Sequence, residues 1–187
     1  MANKAVFIDR DGTINVDGPY LSDPNKLKLY PGVVSGIRRL NKNGYKVIII
    51  TNQSGLARGF FSKEILEEIH NKLKSRLNKG GARLDAIYYC PHHPDDNCEC
   101  RKPKTLLFEK AIADFDIDAA ASFIIGDRTA DVEAGHRIGC KTILVPERGK
   151  EKQVEKEKLN SSIKPDYECK NFTSAVNWIL KKGRTTD

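Results

Sequence analysis

No segment of the 187-residue chain is apolar for the ~20 residues that a membrane-spanning helix needs. Its aliphatic runs, such as Val47–Ile50, are only a strand long. The start, Met1-Ala2-Asn3-Lys4, leads straight into a first strand with no signal-peptide pattern. No membrane-spanning helix is therefore expected, and the cytoplasm is the expected compartment. Internal repeats, low-complexity segments and long linkers are lacking too, so residues 1–182 are expected to form a single domain and 183–187 a disordered tail. The net charge is +7, yet no aromatic residues interleave with the lysines as a nucleic-acid platform requires. A solvated basic surface is the expectation. The five cysteines are an odd number, and three fall between Cys90 and Cys100, which in a cytosolic chain points to a metal before disulfides.

What is present is an alternation of buried strands and amphipathic helices. Strands are expected at 4–8, 45–50, 85–89, 122–126 and 141–145, with a short edge strand at 166–169. A run such as Val47–Ile50, apolar at every position, suits a parallel strand covered on both faces. Between the strands, helices carry apolar stripes: Val33, Val34, Ile37 and Leu40; Ile65, Leu66, Ile69, Leu73 and Leu77 behind a Ser62 cap; Leu107, Ala111 and Phe115. Further helices are expected at about 129–138, with Gly139 behind it, and at 172–182. The mixed-charge run 146–158 reads as a solvated loop and helix. This order implies an α/β, doubly wound (Rossmann-like) parallel sheet with helices on both faces.

Two constellations carry chemistry. The first gathers strand ends. Asp9 and Asp11 follow the first strand within Asp9-Arg10-Asp11-Gly12-Thr13; Thr51 and Asn52 follow the second; Arg101 and Lys102 follow the cysteine loop; Asp127 follows the fourth strand, with Asp131 one helical turn on. In a parallel sheet these can meet at one edge. Alone, the first motif could be a solvated Asp-Gly turn. Together the carboxylates form a hard oxygen site suited to Mg²⁺, beside a lysine and a hydroxyl suited to phosphoryl oxygens. A carboxylate can attack phosphorus, and a second can shuttle the proton.

The second constellation is Cys90-x-His92-x5-Cys98-x-Cys100, four candidate ligands in eleven residues. Three thiolates and an imidazole suit a tetrahedral, structural Zn²⁺ site, with His93 as a rival ligand. Zinc would hold a loop that has no core of its own and aim Arg101 and Lys102. Cys140 and Cys169 read as small packing residues, and His70 and His136 as ordinary surface or packing residues on helices.

The first constellation resembles the haloacid dehalogenase-like phosphatases. Their four motifs occur in order as Asp9-Arg10-Asp11-Gly12-Thr13, Thr51, Lys102 and Gly126-Asp127 with Asp131. Adding the cysteine loop, the chain is most similar to the D,D-heptose 1,7-bisphosphate phosphatases and the related histidinol-phosphate phosphatases. Three stretches lean towards the heptose enzymes: Ile14–Asp17 with Tyr20, Thr51–Gly59 and Tyr88–Pro94. The resemblance implies Mg²⁺-dependent removal of the C7 phosphate of a heptose 1,7-bisphosphate through an aspartyl-phosphate, with the zinc loop in place of a cap domain.

It further implies Asp9 as nucleophile and Mg²⁺ ligand, and Asp11 as acid/base and ligand through its backbone carbonyl. Asp127 is then the third ligand, and Asp131 stands behind it without touching the metal. Thr51 and Lys102 hold the transferring phosphoryl group, with Arg101 among the catalytic residues. Substrate contacts would come from Asp9, Arg10, Asp11, Asp17, Gly18, Pro19, Tyr20, Thr51, Asn52, Gln53, Ser54, Arg58, Arg101, Lys102 and Arg128. The expected partner is a small sugar phosphate, with neither nucleic acid nor membrane engaged and a monomer as the working unit. Readings from other classes are a receiver-like signalling module, which holds a stable phosphoaspartate, and a zinc-bearing nucleic-acid binder.

Overall fold

Successive side chains of a strand leave opposite faces of its sheet, and a chain that buries both faces needs helices on both. The first strand shows this directly in the computed structural model, which describes residues 2–16, 18, 20–147, 149–159 and 164–183. In β1 (Ala5–Ile8), Val6 and Ile8 enter one core and Ala5 and Phe7 the other. Strand β2 (Lys46–Asn52) divides in the same way, with Val47 and Ile49 on the first face and Ile48 and Ile50 on the second. The first core is closed by α1 (Val33–Lys42), α2 (Lys63–Lys79) and α6 (Phe172–Lys182). The second is closed by α3 (Leu106–Phe115) and α4 (Thr129–Ile138).

With β3 (Ala86–Cys90), β4 (Phe123–Gly126), β5 (Lys141–Leu144) and β6 (Tyr167–Glu168), the six strands run in the order β3-β2-β1-β4-β5-β6. Every pairing is parallel. That order reverses between β1 and β4, and the crevice beyond the carboxyl ends at such a reversal is where open α/β sheets bind ligands. Asp9 and Asp127 are the residues that leave β1 and β4 there. Among the described residues no helix is long and apolar enough to cross a membrane.

Helix boundaries follow local chemistry. Ser62 caps α2 by accepting from the Ile65 amide, and Asn171 caps α6 by accepting from that of Ser174. Gly139, in the left-handed region, ends α4. Two expectations need correction. In α3 the fully buried anchor is Phe108, edge-on to Phe7 with ring centroids 5.4 Å apart, while Leu107 and Phe115 are only partly buried. The Phe108 ring fills the space over β1 that a stripe read from spacing alone assigns to its neighbours. The segment read as solvated carries α5 (Glu151–Leu159), whose Val154 is buried against Val132 and Leu144. Trp178 sits at the core edge, stacked on Tyr167. The expectations for Asp17, Pro19 and residues 184–187 lie outside the described residues.

Candidate active site

The crevice at the strand ends is a polar cleft of ≈ 570 Å³ lined by Asp9, Arg10, Asp11, Thr51, Asn52, Gln53, Ser54, Arg101, Lys102, Asp127, Arg128 and Asp131, among others. Gly18 and Tyr20 also line it, and Glu157 reaches it from α5. Residues separated by over a hundred positions in sequence are thus brought to one place by parallel strand order. Of the expected site residues that are described, Arg58 is left out: it is exposed and does not line the cleft.

Lys102 is the hub. Its buried ammonium lies 2.5 Å from Asp9 Oδ1 and 2.6 Å from Asp131 Oδ1, and donates to the Ile50 carbonyl at 2.8 Å. All three ammonium protons are therefore spoken for. The backbone of Lys102 is fixed as well: its amide donates to Asn52 Oδ1 at 3.1 Å, and Asn52 Nδ2 donates to its carbonyl at 3.3 Å. Asn52, expected to touch substrate, thus clamps the loop that carries Lys102. Burial opposes the charge on Lys102, but the Asp131 and Asp9 carboxylates outweigh it and raise the pKa.

Asp127 stands opposite. Thr13 Oγ1 donates to its Oδ1 at 3.4 Å. Gly12, at φ +79°, leaves room for the carboxylate; a Cβ there would lie 2.4 Å from Asp127 Oδ2. Burial, then the facing Asp9 and Asp131 charges, push the Asp127 pKa up to about 9. Asp9 is also raised, mainly by burial, with Lys102 pulling against it. More negative charge is packed here than one ammonium neutralises. That is the signature of a site made for a further cation. Asp9 and Asp127 each have one carboxylate oxygen in a hydrogen bond, to Lys102 and Thr13 respectively, and the other uncommitted among the described residues. Asp131 is committed to Lys102 and to the Arg128 amide, which reaches its Oδ2 at 3.2 Å.

Asp11 has the opposite environment. Arg10 donates to it from Nε at 3.2 Å and from Nη2 at 2.7 Å. Asn15 Nδ2 and Gln53 Nε2 each add a bond of 2.8 Å. Burial alone would raise its pKa; the Arg10 charge and these hydrogen bonds prevail and lower it. The two carboxylates of the motif are therefore driven in opposite directions in the metal-free chain, Asp9 towards its protonated form and Asp11 towards its ionised form. The guanidinium of Arg10 is buried and spent on Asp11, Gln53 and His70, although Arg10 is among the residues that line the cleft. Gln53 likewise bridges Asp11, Arg10 and Thr51 Oγ1.

On the rim, Nη1 of Arg101 is buried without a hydrogen-bond partner among the described residues. Arg128 is engaged by Glu157 through Nε at 3.2 Å and through Nη2. Tyr20 is in the left-handed region at φ +58° and packs on Phe60 with ring centroids 4.5 Å apart. Thr13, Asn15, His70 and Glu157 were not among the expected site residues. Thr13 and Asn15 sat next to the motif and could have been noticed; nothing local marked His70 or Glu157.

The four expected zinc ligands converge. Cys90 Sγ lies 3.5 Å from Cys98 Sγ, Cys98 lies 3.6 Å from Cys100, and His92 Nδ1 is 3.1 Å from Cys100 and 3.6 Å from Cys90. All four ligand atoms fall within 4.8 Å of one another. A tetrahedron with ~2.3 Å metal–sulfur bonds has edges of about 3.8 Å, so the spacing is that of one bound ion. His93 is not among them. It caps the short turn Pro94–Asp96, accepting from the Asp95 amide at Nδ1.

A buried carboxylate at a strand end, a second carboxylate two residues on, a fixed lysine and a strand-end acid on the neighbouring strand together mark a phosphoric monoester hydrolase. Comparison with known proteins agrees. A family model described as HAD-hydrolase-like matches residues 99–175. The D-glycero-beta-D-manno-heptose-1,7-bisphosphate 7-phosphatase of Haemophilus ducreyi is 39% identical, over 87% of this chain and 96% of the relative. Its counterpart in Helicobacter pylori is 36% identical, over 95% and 97%. The crystal structure of the D,D-heptose 1,7-bisphosphate phosphatase of B. bronchiseptica, complexed with magnesium and phosphate, superposes with a TM-score of 0.85 at 32% identity, covering 96% of this chain and 99% of that one. The chain belongs to the haloacid dehalogenase-like hydrolases, within the D-glycero-D-manno-heptose-1,7-bisphosphate 7-phosphatase family.

Proposed function

We propose that this protein removes the C7 phosphate of D-glycero-D-manno-heptose 1,7-bisphosphate, leaving the 1-phosphate. The observation that carries the reading is the strand-end cluster in which Asp9, Asp127 and Asp131 crowd around the one ammonium of Lys102, with Asp11 two residues beyond Asp9. Asp9 attacks phosphorus, and the bond from phosphorus to the sugar oxygen breaks. A bound cation would keep Asp9 ionised and the substrate's phosphate dianion would favour a proton on Asp11, which gives it to that leaving oxygen and then takes one from the water that hydrolyses the aspartyl-phosphate. Lys102 and Thr51 balance charge on the transferring group.

Asp9, Asp127 and the Asp11 carbonyl would hold Mg²⁺, which offsets the repulsion between carboxylate and phosphate. The thiol cluster would hold Zn²⁺ in a closed, structural site, and so fix Arg101 and Lys102 just behind Cys100. Arg101, Arg128, Tyr20, Ser54 and Gly18 line the side where the rest of the sugar phosphate would lie. Asp17 and Pro19 flank Gly18 in sequence. A monomer acting on a soluble substrate in the cytoplasm, without nucleic acid, completes the reading.

The test is phosphate release with Mg²⁺ from the heptose bisphosphate, histidinol phosphate and a panel of sugar phosphates. The highest kcat/KM is expected for the heptose bisphosphate, and loss of turnover in Asp9→Asn with the fold intact. Preference for histidinol phosphate would refute the substrate assignment, and an active Asp9→Asn the mechanism.

A further inference from the structure

We infer that His70 is a positioning residue for the proton shuttle, acting on Asp11 through Arg10; the inference rests on the phosphoryl-transfer reading above. His70 lies on α2, outside every motif of the site, and is only 7% exposed. Its Nε2 is 3.1 Å from Arg10 Nη1. A guanidinium has donors and no acceptor, so Nε2 accepts and the ring proton resides on Nδ1. The ring is neutral, since burial and the Arg10 charge depress its pKa to about 3. Tyr89 packs against it at 5.8 Å between ring centroids.

The contact matters because of what the rest of Arg10 does. Nε and Nη2 go to the Asp11 carboxylate, and Nη2 also goes to Gln53 Oε1 at 3.0 Å. A guanidinium is a rigid planar fork, so fixing Nη1 fixes the plane in which the other donors meet Asp11. Arg10 is 1% exposed, and without His70 its Nη1 would be a buried donor with no acceptor. The fork would turn to find one and take the Asp11 carboxylate with it. A histidine present only for packing would not need its single ring hydrogen bond among the described residues to end on the guanidinium that holds the acid/base.

The discriminating pair is His70→Met, similar in length to glutamine but a poor acceptor, and His70→Gln, whose amide oxygen can accept from Arg10. Single-turnover rates are measured with Mg²⁺ on the sugar phosphate that the wild type cleaves best, and on p-nitrophenyl phosphate. The first ester needs a proton on its leaving oxygen; nitrophenolate leaves without one. His70→Met is expected to slow sugar-phosphate cleavage about tenfold, a fraction of what general acid catalysis supplies. KM should stay within about twofold, and so should nitrophenolate release. His70→Gln should recover sugar-phosphate cleavage to within about threefold of wild type.

Equal slowing on both esters, no slowing on either, or failure of glutamine to rescue would overturn the relay. If His70→Met does not fold, His70→Leu removes the same acceptor and is read by the same ratio. Because the sugar phosphate is chosen from the wild-type screen, a wrong heptose assignment leaves this comparison intact. A wild type inert on both esters overturns the phosphoryl-transfer reading and the relay together.

Discussion

The Lys102 ammonium and the Asp9 carboxylate meet at 2.5 Å, both nearly sealed from solvent, across 93 residues of sequence. The contact joins the loop behind the thiol cluster to the end of β1. It also sets the buried Lys102 charge directly against the Asp9 carboxylate. Asp131, on the far side of the same ammonium, completes a buried triad.

Removing the centre of that triad leaves two buried carboxylates facing each other. Lys102→Met should therefore cost stability, by about 3–5 kcal/mol if both acids stay ionised and less if one takes up a proton. Urea unfolding measures it. A loss confined to activity, with an unchanged midpoint, would mean that Asp9 and Asp131 are insulated from each other by something other than Lys102.

Magnesium binding should be tied to proton release. Asp127 titrates near 9 in the folded chain against 3.8 in its unperturbed state, and Asp9 is raised as well. The folded metal-free protein therefore holds protons that the unfolded chain has already lost. Their contribution to stability is complete below about pH 4 and is lost as pH rises through the folded values. A divalent cation binds the ionised carboxylates, so its stabilising effect should grow with pH. Thermal melts with and without Mg²⁺ should show a larger increment at pH 8 than at pH 6. Equal increments would contradict a site built on Asp127.

Gly12→Ala tests the cradle around Asp127. The new Cβ would meet Asp127 Oδ2 at 2.4 Å, at a backbone φ of +79° that disfavours any side chain. A destabilisation of about 1–3 kcal/mol is expected, with a larger proportional loss of Mg²⁺ affinity. A crystal structure of the variant would show Asp127 displaced from the cleft. An unmoved carboxylate with normal Mg²⁺ affinity would remove Gly12 from the account of the site.

The thiol cluster should hold one zinc ion per chain by elemental analysis. Cys98→Ser should lower that occupancy and weaken the protein, since structural zinc supplies folding energy outright. Because Cys100 adjoins Arg101 and Lys102, kcat should fall even though no zinc ligand touches the cleft. Full activity in a protein stripped of zinc would show that Asn52 alone is enough to hold the Lys102 loop.

Much of this was readable in order along the chain. The aliphatic strands, the cap at Ser62 and the stop at Gly139 are local signals, and the structure follows them closely. The acids at strand ends could be found because a parallel sheet sends every carboxyl end to the same side. His93 could not be separated from His92 by spacing. The difference is one of direction: His92 turns into the thiols, while His93 turns outward to cap Pro94–Asp96. Nor could spacing show that Asn52, Gln53 and Arg10 are tied mainly to protein groups. Hydrogen-bond partners of polar side chains are chosen by proximity in space.

The sequence by itself determined the layers, the chemistry of the site and the family, because these rest on periodicity and on residue types at short spacing. Tertiary structure decided which of the two neighbouring acids is paired with which cation. Asp9 faces Lys102 and Asp11 faces Arg10, although the acids stand two residues apart. The reason is geometric. A strand ends at Ile8, and the turn behind it sends the two carboxylates into different surroundings, one over-acidic and one held by donors. It likewise brought His70 under Arg10 and Glu157 onto Arg128, from helices whose sequences announce only a buried stripe and a charged surface.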